Sequence, residues 1–258
     1  MDKSFAEERR TKIVEYLNVH QKAEISLLAE MLNTTEATVR RDLSYLEKEK
    51  LLHRVHGGAI RKEKSYFWQA SSLLDRETLH KDKKEKICKY LAKIVHDNES
   101  LMIDGGSTTL LSSKYLAAKK NLLVVTNCPA IGDIFVKQND QKVMITGGQL
   151  LKETASLLGN DTQRILDQYR TDKAIISVSA LDPSEGIFSA IPEETAIKKI
   201  MLQNSKERIL IADSSKINSR AFSFICDFSL IDILITDSEI DNEDLKKIQK
   251  QKVKVITV

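Results

Sequence analysis

A chain of 258 residues is long for one ordinary domain and suits a small domain followed by a medium-sized one. Its 41% hydrophobic and 30% charged residues fit a globular protein, and a net charge of +3 says little by itself about partners. No apolar run approaches the ~18 residues of a membrane-spanning helix, and the charged start, Met1 to Arg10, lacks the apolar stretch of a secretory signal. Cys88, Cys128 and Cys226 are odd in number, far apart and not in CxxC pairs. They point to a reducing cytoplasm and to small buried hydrophobes rather than a disulfide framework or a cysteine zinc site.

The first sixty residues read as short helices. Ile13, Val14 and Leu17 form one apolar stripe, and Ile25, Leu28, Ala29 and Leu32 a second. Asn33-Thr34-Thr35 interrupts the pattern, with Thr35 placed to cap the next helix. That helix carries Val39, Leu43 and Leu46 on one face. Leu51 to His56 reads as a strand ended by Gly57-Gly58, and helices followed by a strand pair make a winged-helix arrangement. From Ala37 to Lys64, Lys and Arg outnumber Asp and Glu by 8 to 4, a weak sign of nucleic-acid contact because solvated charged faces are common.

Residues 61–81 lose clear period and read as a linker, with Tyr66, Phe67 and Trp68 as packing aromatics. After a helix over Asp82–His96, apolar strand-like runs recur at Ser100–Ile103, Leu122–Thr126, Lys142–Thr146, Ala174–Val178, Arg208–Ala212, Ile231–Thr236 and Lys252–Val258. Helical stretches fall between most of them, at Thr108–Leu116, Ala130–Val136, Glu194–Gln203 and Asn242–Lys250. Alternation of this kind predicts an α/β domain over 82–258 with a mainly parallel sheet, its strands apolar because both faces are covered. The DNA-reading candidate occupies 1–60.

On the helix from Thr35 to Leu46, the positions off the buried face include Ala37, Thr38, Arg40, Arg41, Ser44 and Tyr45. Ala37, Arg41 and Tyr45 share a side. Arg can fork onto guanine, Thr and Ala can meet a thymine methyl, Tyr can reach a phosphate, and the helix N-terminus offers free N–H groups. A solvated helix with an Arg-Arg-Asp ion-pair cluster accounts for the spacing equally well. The residues from Leu28 to Leu43, with the T-V-R-R-D-L core, and the ending R-V-H-G-G-A at Arg54–Ala59 resemble the DeoR-type DNA-binding domain. The resemblance implies a winged helix-turn-helix whose second helix enters the major groove of a double-stranded DNA operator. It puts Arg40 and Arg41 near DNA, unless one of them holds Asp42 or the wing. Arg54 and His56 would meet the backbone from the wing, the histidines there being equally open to a structural role.

Asp104-Gly105-Gly106-Ser107-Thr108-Thr109 follows a predicted strand and opens a helix, where glycines, hydroxyls and N–H groups can surround a phosphate or simply make a tight turn. It is neither GxxxxGK[ST] nor GxGxxG, so no nucleotide cofactor is expected. Thr126-Asn127, Gly147-Gly148, Ser179 with Asp182, Glu193-Glu194 and Asp213-Ser214-Ser215-Lys216 also fall at predicted strand ends, the usual ligand rim. This set resembles the DeoR-family C-terminal domain, similar in turn to ribose-5-phosphate isomerase and glucosamine-6-phosphate deaminase. By that resemblance Ser107, Thr108 and Thr109 would hold the phosphate of a sugar or polyol, and Lys216 would add charge. Asp104, Gly106, Asn127, Gly148 and Glu194 would line the sugar, while Asp213 or Glu193 could instead make a cap or surface pair.

Three functions follow as expectations. The first is a repressor of a carbohydrate-metabolism operon, controlled by a phosphorylated sugar or polyol and paired as a homodimer or homotetramer to read two half-sites. The second is an isomerase-type enzyme, which Glu194 and Lys216 would partly equip. Gly186-Ile187-Phe188-Ser189 stands where the isomerases carry K-G-G-G, so no catalytic residue is assigned. The third is an architectural DNA binder with an idle sensor, which the intact Ser107-Thr108-Thr109 cluster disfavours.

Overall fold

In the computed structural model, residues 3–20, 22–49, 51–55, 57–61 and 73–258 are described. His56 and the aromatics Tyr66, Phe67 and Trp68 lie outside them. The chain divides into two compact units, Met1–Ser65 and Tyr66–Val258. Among the described residues no helix is long and apolar enough to cross a membrane.

The first unit runs α1 (Lys3–His20), β1 (Lys22–Glu24), α2 (Ile25–Met31), α3 (Glu36–Lys48), β2 (Leu52–Val55) and β3 (Gly58–Arg61). The apolar stripes meet in one core that includes Ile13, Leu17, Leu28, Val39, Leu43, Leu46 and Leu52. The predicted strand pair is the antiparallel β2–β3 wing, to which β1 adds a third strand on the far side of β3. β1 is only Lys22-Ala23-Glu24, too short to show a period.

The second unit opens with α4 (Leu73–Thr78) and α5 (Lys81–Ile94). Of the segment read as a linker, residues 73–78 are helical, and Leu73 is buried in the core of this unit. A βα alternation follows: β4 (Ser100–Ile103), α6 (Ser107–Leu116), β5 (Leu123–Thr126), α7 (Pro129–Val136) and β6 (Lys142–Ile145). A small antiparallel hairpin, β7 (Gln149–Leu151) with β8 (Ser156–Leu158), and helix α8 (Asn160–Asp167) lead to β9 (Thr171–Ser177). Next come β10 (Ala180–Asp182), β11 (Gly186–Ser189), α9 (Pro192–Gln203), β12 (Ser205–Ile211), β13 (Ser223–Cys226), β14 (Ile233–Thr236), α10 (Asn242–Gln249) and β15 (Lys254–Thr257).

All seven predicted strands join one parallel sheet in the order β15-β14-β12-β9-β4-β5-β6. Successive residues alternate between two cores. Met102, Ala174, Ile176 and Leu210 face Ile197, Met201 and Leu166 of α9 and α8. Leu101, Ile103, Ile175 and Ile209 face Ile87, Leu91 and Phe135 of α5 and α7. The chain starts in the middle at β4, builds outward through β5 and β6, and returns to β9 on the other side of β4. The order thus reverses between β4 and β9, the point at which an open α/β sheet has its crevice, at the strands' carboxyl ends. β10, β11 and β13 form a separate antiparallel sheet.

In the wing, a Cβ on Gly58 would lie 2.2 Å from the carbonyl oxygen of Ala23. Gly58→Ala must part β3 from β1, and overpacking of this kind costs about 1–3 kcal/mol. Segment-resolved hydrogen exchange checks it: residues 22–61 exchange faster in the variant, while residues 100–258 keep their protection.

Candidate DNA-reading helix and candidate effector site

Helix α3 begins as its sequence dictates. The Thr35 hydroxyl accepts the N–H of Thr38 at 3.3 Å and pairs with the Thr38 hydroxyl at 3.0 Å. Val39, Leu43 and Leu46 are buried, whereas Ala37, Arg40, Arg41, Ser44 and Tyr45 are exposed and Thr38 is half-buried. Arg40 bonds Glu36 one turn back at 3.2 Å, and Arg41 has no ion pair among the described residues. Asp42 points inward and is 1% exposed.

The partners of Asp42 remove the alternative in which Arg40 or Arg41 holds it. Arg9 and Arg10 of α1 donate through their Nε atoms to its two carboxylate oxygens, at 2.5 and 2.9 Å. The Arg10 guanidinium also lies 3.8 Å over the ring of Tyr45. The wing is tied to the same helix: Arg54 donates from its guanidinium to the Ser44 hydroxyl at 2.8 Å and from its backbone N–H to Glu47 at 2.9 Å. Ser44 in turn donates to the Arg40 carbonyl. The arrangement presents one basic, exposed helix face with its flanks braced on both sides.

In the second unit the strand-end residues gather at the crevice between β4 and β9. Asp104, leaving β4, is fully buried; its Oδ1 accepts the N–H of Ser177 at the end of β9, 3.1 Å away. Its Oδ2 pairs with Lys198 of α9. Lys198 also stands 3.8 Å from Glu194 one turn earlier, and Glu194 accepts a bond from the Ser189 hydroxyl at 2.9 Å. Burial opposes the charge on Lys198, but the two carboxylates outweigh it and hold its pKa above the ordinary value. Asp104 and Glu194 are thus committed to a lysine rather than turned to solvent.

The glycine turn has a packing reason of its own. A Cβ on Gly105 would meet the Ser156 hydroxyl at 1.9 Å, and one on Gly106 the Ser177 hydroxyl at 2.1 Å. Asn127 braces the turn, accepting the Gly105 N–H at 3.1 Å and donating to the Leu157 carbonyl at 3.1 Å. Gly148 sits apart on the exposed connection before β7, at φ +128° and close to the Leu158 carbonyl. Both residues have structural work that explains them without a ligand.

Helix α6 then starts at Ser107. The N–H groups of Ser107, Thr108 and Thr109 precede its first internal hydrogen bond, which Leu110 makes to Gly106. The Thr109 hydroxyl turns inward to the Gly106 carbonyl at 2.9 Å. Ser107 meets a cation: Lys84 of α5 donates to its hydroxyl at 3.2 Å and also to the carbonyl of Arg76 in α4. Lys84 is buried, and burial pulls its pKa down to about 8; Asp213 offsets this in part, while Lys216 and Arg76 add to it. Lys216 ends the turn Ser214–Lys216, half-buried, and Asp213 caps that turn by accepting the Ser215 N–H at 3.1 Å. Of the two roles open to Asp213, capping is the one observed.

Sequence reasoning missed Arg76, Lys84 and Lys198. Lys198 was visible as the last residue of Glu193-Glu194-Thr195-Ala196-Ile197-Lys198. Arg76 and Lys84 gave no signal, because basic residues in a charged stretch read as solvated.

Comparison with known proteins gives a consistent result. The family model described as DeoR C terminal sensor domain matches residues 79–238, and that of the DeoR-like helix-turn-helix domain matches residues 9–65. The uncharacterized HTH-type transcriptional regulator YulB of Bacillus subtilis (strain 168) is 33% identical, over 97% of this chain and 96% of its own length. A lactose phosphotransferase system repressor of Staphylococcus epidermidis is 29% identical, over 94% of this chain and 95% of its own. Among solved structures, ribose 5 phosphate isomerase A from Neisseria gonorrhoeae aligns with 59% of this chain and 57% of its own, at 19% identity and a TM-score of 0.38. Matched by both domain models, which together span most of its length, the chain belongs to the DeoR family of DNA-binding helix-turn-helix transcriptional regulators.

Proposed function

We propose that this regulator represses an operon of carbohydrate metabolism and that a phosphorylated sugar or polyol, held at the start of α6, controls its grip on a double-stranded DNA operator. The observation that carries the effector half is Lys84, a buried cation bonded to Ser107 beside the free N–H groups of α6. Backbone donors and a cation converging on one point suit a phosphate. Ser107, Thr108 and Lys84 contact it, Lys216 adds charge, and Thr109 supplies its N–H. Asp104, Asn127 and Glu194, whose polar atoms are already engaged, shape the ground beneath the sugar rather than bonding its hydroxyls. The repressor half is supported by the relatives, one of which is named a repressor of a sugar phosphotransferase system. The site binds rather than catalyses, since Asp104 and Glu194 are both engaged in neutralising Lys198. One winged helix reads one half-site, so the working form is a homodimer or homotetramer in the cytoplasm.

On the DNA side, Arg41 is the base-reading arginine, free of ion pairs among the described residues, with Arg54 and Tyr45 on the backbone. Duplexes selected from a random pool give the operator consensus. Against them Arg41→Ala costs about 1–3 kcal/mol and relaxes the preference at one position of the half-site. A uniform loss across all sequences would make Arg41 a phosphate contact instead. Titrating a panel of pentose, hexose and polyol phosphates into the same binding assay shifts the affinity with at least one member; no shift with any of them removes the sensor reading.

The Lys84 ammonium gives the effector site a pH signature. A phosphate monoester is a dianion well above its second pKa of about 6, so from pH 7.5 upward the protein's own titration governs. Anion affinity falls as pH rises through about 8, where Lys84 loses its proton. The stability of the anion-free fold moves the other way. Between about 8 and 10.5 the unfolded chain holds a proton that Lys84 has shed in the fold, so its contribution to stability rises with pH. Calorimetric titrations from pH 7.5 to 9.5 measure the first effect, and an affinity that stays flat over that range excludes Lys84 from the site.

A further inference from the structure

Arg76 has an unusual position. Its Nε and one terminal nitrogen are shut off from solvent and have no hydrogen-bond partner among the described residues. A guanidinium carries five N–H donors in a rigid fork and is never deprotonated, so it cannot escape the cost of burial by neutralising. Among the described residues, Asp104 and Glu194 are engaged with Lys198, and Asp213 with Ser215. The positive charge of Arg76 bears on both Lys84 and Lys198, so the fork stands among the cations of the crevice.

We infer that Arg76 is a ligand for the effector's phosphate and that the bound anion thereby fastens α4, the first described element after the segment joining the two units. This rests on the effector site proposed above and adds to it how binding is passed on. A phosphate oxygen pair meets the arginine fork bidentately, while Lys84 and the α6 N–H groups reach the remaining oxygens. Helix α4 has six residues, far fewer than a helix needs to stand alone. Its ties to the rest of the unit include the Leu73 N–H to the Glu153 carbonyl at 3.0 Å, the buried Leu73 side chain, and Lys84 on the Arg76 carbonyl. An Arg76–phosphate bond is a further tie that exists only in the liganded state. By linkage, whatever orders α4 raises anion affinity, and the anion orders α4 to the same degree.

The test uses the full chain, with inorganic phosphate and the sugar phosphates of the panel as probes. Melting temperature reports binding, and hydrogen exchange over residues 73–80 reports the state of α4. In the wild type, saturating probe raises the melting temperature and slows exchange over 73–80 severalfold. Arg76→Met binds at least tenfold more weakly, and at saturation its α4 exchanges at the ligand-free rate. Lys216→Ala also binds more weakly, yet at saturation it protects α4 as the wild type does. Should Arg76→Met not fold, Arg76→Lys keeps the charge and loses the fork, and it binds severalfold more weakly than the wild type; affinity equal to wild type would refute the bidentate assignment. Wild-type binding without protection of α4, or full protection in Arg76→Met, overturns the inference and leaves the effector site standing. A wild type whose melting temperature responds to none of the probes overturns both.

Discussion

A carboxylate with no exposure to solvent has to be matched by a cation and by hydrogen bonds, or it protonates. Asp104 meets that requirement through two groups from distant parts of the chain, the backbone N–H of Ser177 and the ammonium of Lys198. The first ties the end of β4 to the end of β9, across the line where the strand order reverses. The second ties both to α9, which covers one face of the sheet. This buried pair therefore sits at the point where the strand order reverses, and the glycine turn and the start of α6 follow it directly in the chain.

The DNA-binding unit uses the same device on a smaller scale. Asp42 is buried inside the helix that faces outward with Arg40 and Arg41, and two arginines of α1 neutralise it. One negative charge against two positive ones leaves an excess of positive charge beside the exposed face, partly spread over the ring of Tyr45. Charge that braces the fold therefore also contributes to the field that a DNA backbone would meet.

The seven strands of the parallel sheet were legible as short apolar runs between turn residues: the inner ones are largely buried at their carboxyl ends, and the edge strands β6 and β15 keep the apolar run although they are only partly buried. β9 and β12 reach further back than their apolar runs, into Thr171–Lys173 and Ser205–Glu207, where backbone pairing rather than side chains extends the strand. β10, Ala180-Leu181-Asp182, was not legible: three residues, all buried and one of them charged, show neither alternation nor an apolar run. Within the site, the strand-end hydroxyls and glycines were visible because loop chemistry is local. The cations were not, since Lys84 lies in an ordinary amphipathic helix and is buried by α6, 23 residues away from it at Ser107. Asp42 shows the same limit, its partners lying 32 and 33 residues back while two plausible arginines sit beside it.

The bond from Arg54 to Ser44 joins wing and α3 into one piece, and Arg54 leans on Glu47 as well. Evolution of operator preference in such a unit cannot proceed by exchanging α3 alone. A helix borrowed from a relative with a different residue at position 44 or 47 would arrive without its buttress and sit at a new angle. Positions 44, 47 and 54 therefore form one heritable block, and a designer retargeting this protein to another sequence would have to move them together.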